Sequence, residues 1–123
     1  MSTYGKEVIG ALMKELNNKV EVVTIDVMGC NREVMKYKIS KVFSGTNFEK
    51  LNEDIANYAD ILVVIEGGKN SGTILLAAKF AEKNKNVYCV PGRINDDGSY
   101  ATNWLIGQGA GILTNIREFV GNV

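Results

Sequence analysis

The 123-residue chain has no histidine, one proline, one tryptophan and two cysteines, and each shortage removes a class of chemistry. Without histidine there is no Ser-His-Asp or Cys-His nucleophile and no histidine-ligated zinc. Cysteines at Cys30 and Cys89 alone cannot build a four-thiolate site. An excess of either charge is missing too: 14 Lys plus Arg balance 14 Asp plus Glu. A bulk positive field for nucleic acid is therefore excluded, and any polyanion site must be local. No run is long enough to span a bilayer, so no membrane partner is expected. The opening Met1-Ser2-Thr3-Tyr4-Gly5-Lys6-Glu7 lacks the basic start and apolar stretch of a secretory signal. The two cysteines are accordingly expected as small buried thiols in a reducing, cytoplasmic setting. The length suits one domain over residues 1–123, with no room for separate cofactor and substrate domains.

What is present alternates helix with strand. Ile9, Leu12, Met13 and Leu16 fall at i, i+3, i+4 and i+7, predicting an amphipathic helix over Lys6 to Leu16. Val20 to Val27 is β-branched over a strand's length, a turn follows at Met28 to Asn31, and Arg32 to Phe43 has helical spacing. Thr46 and Glu49 stand at the capping-box spacing that opens a further helix through Leu51, Ile55 and Tyr58. Ile61 to Ile65 is unbroken and apolar, as expected of a strand covered on both faces. Helix over Ile74 to Lys83, strand over Asn86 to Val90, a short helix around Trp104, a short strand over Gly109 to Leu113 and a final helix from Asn115 complete the order. The pattern predicts an α/β fold, a Rossmann-like three-layer sandwich with a mainly parallel sheet of about four to five strands.

In such sheets ligands bind where the carboxyl ends of strands lead into helix N-termini. Three loops meet that description: Gly29 to Asn31, Gly67 to Thr73 and Pro91 to Asp97. The loop Gly67, Gly68, Lys69, Asn70, Ser71, Gly72, Thr73 is the most informative. Its glycines permit close backbone approach and positive φ, and its exit into a helix aims free N–H groups outward. Lys69, Ser71 and Thr73 add donors, so a phosphate is the natural guest. The spacing is neither a Walker A loop nor the dinucleotide G-x-G-x-x-G pattern. A purely structural reading stands beside it, in which the glycines make a tight turn and Ser71 caps the helix. Pro91 and Gly92 close a strand on the same rim. Arg32 stands beside the Gly29 turn, where it can reach that rim, within a basic stretch running to Lys50 that acids from Glu49 to Glu66 balance. Trp104 and the tyrosines can stack a base, although a lone tryptophan spaced with Leu105 is expected in the core. Glu66 and Asp26 are candidate carboxylates. Glu66 has two readings, as a partner of a ribose hydroxyl or of the loop's own N–H groups. Neither a catalytic pair, a metal site nor a cofactor motif stands out.

From Asp60 onward the chain resembles the DprA/Smf DNA-processing proteins. The resemblance rests on Val63-Val64-Ile65-Glu66, Ser71-Gly72-Thr73, Ala77-Ala78 with Ala81, Asn86-Val87-Tyr88-Cys89-Val90-Pro91-Gly92, Asn103 with Leu105-Ile106, and Gln108-Gly109-Ala110. Ser2-Thr3-Tyr4-Gly5 is similar, more faintly, to the serine-x-tyrosine-glycine opening of that family's first helix. The resemblance implies a Rossmann-like core, binding of single-stranded DNA, loading of a RecA-type recombinase and self-association as a homo-oligomer, without hydrolysis. Three features depart from the pattern. The strand that precedes the first helix is absent, the arginine-asparagine-arginine signature reads Leu51-Asn52-Glu53, and the serine-glycine loop reads Thr24-Ile25-Asp26-Val27. Enzyme relatives in the wider superfamily carry a Gly-Thr-x-x-Glu motif, and here the glutamate's place is taken by Leu76.

Three functions are expected in descending order. The first is non-catalytic binding of a nucleotide or single-stranded DNA, with phosphate at Gly67 to Thr73, Pro91-Gly92 opposite and Arg32 steering. The second is an N-glycosidic nucleotide hydrolase using Glu66 or Asp26. The third is an assembly module with a vestigial pocket, its sheet completed by a second copy.

Overall fold

The computed structural model describes residues 3–16, 22–25 as backbone, and 48–122. In chain order these form α1 (Thr3–Leu16), β1 (Val22–Ile25), α2 (Phe48–Tyr58), β2 (Ile61–Val64), α3 (Thr73–Glu82), β3 (Asn86–Cys89), α4 (Tyr100–Gly107), β4 (Gly111–Ile112) and α5 (Ile116–Gly121). The four strands form one parallel sheet in the order β1-β2-β3-β4. The expected turn at 28–31 and helix at 32–43 lie outside the described residues, as do Asp26, Cys30 and Arg32.

The run Ile61 to Ile65 is continuous because both faces of β2 are covered. Leu62 and Val64 join Leu51, Ile55, Leu76, Phe80 and Leu105 of α2, α3 and α4 on one side. Ile61, Val63 and Ile65 join Ile9, Leu12 and Leu16 of α1 and Phe119 of α5 on the other. Strand periodicity of two thus feeds two cores, and any residue in this strand that was polar would be buried unpaired. Three crossovers running the same way along the sheet put α2, α3 and α4 on one face, as right-handed connections require. The expectation of helices on both faces is met, and β4 is shorter than the expected Gly109 to Leu113 because Gly109 and Ala110 N–H groups close the end of α4 on Ile106 O and Leu105 O.

Helix ends are closed by local chemistry. Lys85 Nζ donates to the carbonyls of Ala56 (2.7 Å), Asn57 (3.2 Å) and Ala59 (2.8 Å), placing a cation on the negative end of α2 and tying it to the start of β3. Asn84, at φ 57°, takes the left-handed position that ends α3. The Asn115 side chain accepts from Glu118 N–H at 3.0 Å and opens α5, as its sequence position predicts. Trp104 departs from expectation: α4 buries Ala101, Thr102 and Leu105, which turns Trp104 outward at 42% exposure.

Two outcomes follow. Phe80 is fully buried among α2, α3 and β2, so Phe80→Ala lowers stability by about 3–5 kcal/mol, read from the urea midpoint. Burial pushes the Cys89 thiol up to about 12. Its folded value lies above that of the unfolded chain, so Cys89 contributes stability below about pH 8.5 that is lost as pH rises toward the folded value. Native Cys89 therefore resists iodoacetamide at about pH 8.5 and is alkylated after denaturation, as peptide mass mapping will show.

Candidate functional site

Parallel topology delivers the N-termini of α3 and α4 to the carboxyl rim of the sheet, and the rim is locked by close backbone contacts. Gly67 N–H donates to Gly98 O, and Ala101 N–H donates to Gly67 O, both at 2.6 Å. A side chain at Gly67 would collide with the Cβ of Ala101, and one at Gly92 with the side chain of Ser99. Glycine is needed at these two positions for proximity. Of the two freedoms that glycine permits, the Gly67 to Thr73 loop uses close approach: among the described residues, Gly109 is the glycine with positive φ.

Asn103, on α4, grips the opposite wall. Its Oδ1 accepts from Gly92 N–H at 3.1 Å and its Nδ2 donates to Gly92 O at 3.0 Å, so one amide holds both backbone groups of the Pro91-Gly92 turn. The two loops that the sequence placed on one rim are thereby both fastened to α4. Beyond Gly92 the loop exposes Arg93 and Ile94, the latter at 92%. Asp96 Oδ1 accepts from Gly98 N–H at 3.0 Å.

Within the glycine loop, Ser71 Oγ accepts from Thr73 N–H at 3.0 Å, a local side-chain turn one residue before the N-cap rather than the expected cap itself. Gly72 is the N-cap, at φ −66° and ψ −6°, and a Cβ there would meet nothing within 4 Å. The loop therefore opens outward at Gly72, beside the first helical turn, where Ile74 and Leu75 N–H groups have no acceptor in the helix ladder. Lys69 and Asn70 are exposed, while Thr73 is 3% exposed and belongs to the interior. Carboxylates gather on the other flank: the position of a Cβ on Gly98 would lie 3.5 Å from Asp96 Oδ1 and 3.9 Å from Glu66 Oε2. Among the described residues, no group of three or more Cys, Asp or Glu stands together as a metal site.

Arg93 was not singled out as a rim cation by sequence reasoning, and Trp104 was named as a ring that can stack a base but was expected in the core. Arg93 directly follows Pro91-Gly92, so its place in the same loop was the available signal. Trp104 stands four residues after Tyr100, which is 41% exposed, and that spacing puts both rings on one face of α4.

The sequence model of the family described as DNA recombination-mediator protein A matches residues 31–123, well over half of the chain. The chain belongs to that family. It is also similar to protein Smf of Escherichia coli, 32% identical over 77 residues that make up 63% of this chain and 21% of Smf. The chain thus spans about a fifth of the length of that curated relative. Two solved structures share its fold. DNA processing protein A from Streptococcus pneumoniae has a TM-score of 0.71 and 16% identity, with 98% of this chain and 57% of that one covered. DNA processing protein A from Helicobacter pylori has a TM-score of 0.73 and 18% identity, with 99% and 74% covered, and is described for its single-stranded DNA binding mode.

Two departures from the family pattern now have physical counterparts. Leu51 is 3% exposed in the core, and Glu53 accepts from Lys83 Nζ at 2.5 Å, with Lys79 3.6 Å away. The hydrogen bond from Lys83 holds the Glu53 carboxyl below its ordinary value. Where the family carries two arginines, this chain has a core leucine and an acid that ties α2 to α3. Leu76, in the place of the enzyme relatives' glutamate, is 1% exposed inside the core.

Removing the Asn103 amide tests the rim. Asn103→Ala frees Gly92 N–H, so hydrogen exchange at Gly92 accelerates while the protected amides of β2 keep their rates. The stability loss is about 1–2 kcal/mol for two partly exposed hydrogen bonds.

Proposed function

We propose that this chain is a non-catalytic module that holds single-stranded DNA, or a nucleotide cut from it, by a backbone phosphate at the N-terminus of α3. The observation that carries this reading is the approach at Gly72: a Cβ there would meet nothing within 4 Å among the described residues, beside the first helical turn with its free backbone N–H groups. Lys69 and Arg93 are the exposed cations of the two rim loops, which suits an anion at the rim without a basic field over the whole surface. Family membership supports a DNA ligand, as does the single-stranded DNA binding named for the Helicobacter pylori relative. Gly67 and Gly92 act as spacers, Ser71 orients the loop, and Asn70 lies at its tip. Arg32 completes the proposal as a steering cation.

Leu76 in the core favours binding over N-glycosidic cleavage, since it offers no carboxylate one helical turn after the loop. Self-association and engagement of a RecA-type recombinase belong to this proposal as consequences of family membership, and the whole domain is proposed to act as one unit over residues 1–123.

The test uses a fluorescently labelled oligothymidylate and anisotropy at several salt concentrations. Each phosphate contact contributes a slope of about −0.7 in log K against log salt for a single strand. A shallow slope of one to two such contacts is expected from so few cations. Gly72→Leu fills the open approach while leaving the fold intact, and it abolishes binding. Unchanged affinity in that variant, with an unchanged circular dichroism spectrum, refutes the site.

A further inference from the structure

The α3 N-terminus is also the upper end of a groove that continues between α3 and α4 down to the start of β3. This cavity, of about 470 Å³, begins at Ile74, the residue after Thr73. Its α3 wall is made of the small side chains Ala77, Ala78 and Ala81, and its α4 wall carries Trp104 and Gln108. Trp104 is half-exposed there, with Tyr100 one turn nearer the rim on the same face.

The groove's chemistry selects its occupant. Among the described residues Lys85 is the one charged residue lining it, and its ammonium already serves three α2 carbonyls. No cation is therefore left in the groove for a phosphate, which stays at the rim with Lys69 and Arg93. The groove itself suits something uncharged, flat and aromatic, with the Asn86 and Gln108 amides at hand for polar edges. A single strand divides its charge in this way, with anionic phosphates outside and neutral rings to one side. We propose that the α3/α4 groove takes the bases of the bound strand, with a base stacked on the Trp104 indole. The proposal rests on the phosphate reading above and adds the place where the bases go.

Trp104 is the chain's sole tryptophan, so its emission reports on this groove alone. The experiment compares an oligothymidylate of about ten nucleotides with an abasic deoxyribose-phosphate strand of equal length. Each is followed by label anisotropy and by Trp104 emission. The thymidylate strand is expected to quench Trp104, and the abasic strand to bind roughly tenfold more weakly without quenching. Trp104→Ala makes the two affinities equal, and Trp104→Phe restores the preference. Because the side chain is half-exposed, both variants keep the native circular dichroism spectrum. Thymidylate binding with unchanged emission and no preference over the abasic strand overturns the base groove while leaving the phosphate site standing. A Trp104 blue shift that follows protein concentration in the absence of oligonucleotide overturns it in favour of contact between copies of the chain. Failure of both strands to bind overturns the phosphate reading and this inference together.

Discussion

Burial of β2 on both faces is the constraint from which the other elements take their positions. A strand with Leu62 and Val64 in one core and Ile61, Val63 and Ile65 in the other needs a helical layer above and below. It also needs strand partners on both edges, supplied by β1 and β3. Right-handed crossovers then fix which helices go where, and they send the N-termini of α3 and α4 to the same rim. The site is a consequence of that geometry, since no residue of the glycine loop reaches the rim except through the strand before it.

The rim is built by packing and polar contacts acting together. Gly67 lies against Ala101 with two 2.6 Å hydrogen bonds, and Asn103 holds Gly92 by both backbone groups. The eight residues of α4 thereby serve two loops and the groove at once: Ala101 and Asn103 anchor the rim, Leu105 enters the core, and Trp104 faces out. Charge is divided across this small area. Asp96 and Glu66 stand at the Gly98 flank, while a Cβ on Gly72 would meet nothing within 4 Å among the described residues. Local separation of this kind is what the proposed anionic ligand requires of a chain of zero net charge.

Much of the fold was legible in the sequence because its signals are local. The β-branched and apolar runs announced strands, the i, i+3, i+4 spacing announced α1, and Asn115 announced the start of α5. Family resemblance was legible from Asp60 onward, where the motif residues cluster. Trp104 was misplaced because a tryptophan beside Leu105 carries no sign of which one faces the core. Only the docking of α4 on β3 decides that, through Ala101, Thr102 and Leu105 on its buried side. The glycine loop was located correctly, and of the two freedoms its glycines permit it uses one: Gly67 serves close approach, and none of the loop's glycines is at positive φ.

Composition alone therefore determined what these 123 residues do not themselves supply, namely histidine side chains and an excess of basic charge, and periodicity announced the layers and the loops that end the strands. Among the described residues, tertiary structure decided which glycines of those loops are packed against and which is not. That distinction depends on atoms far apart in the chain: Gly67 and Gly92 are filled against α4, whereas Gly72 faces free space. It also decided that Leu76 points into the core and that Trp104 lines a groove, because burial is a property of what packs against a helix rather than of the helix's own sequence.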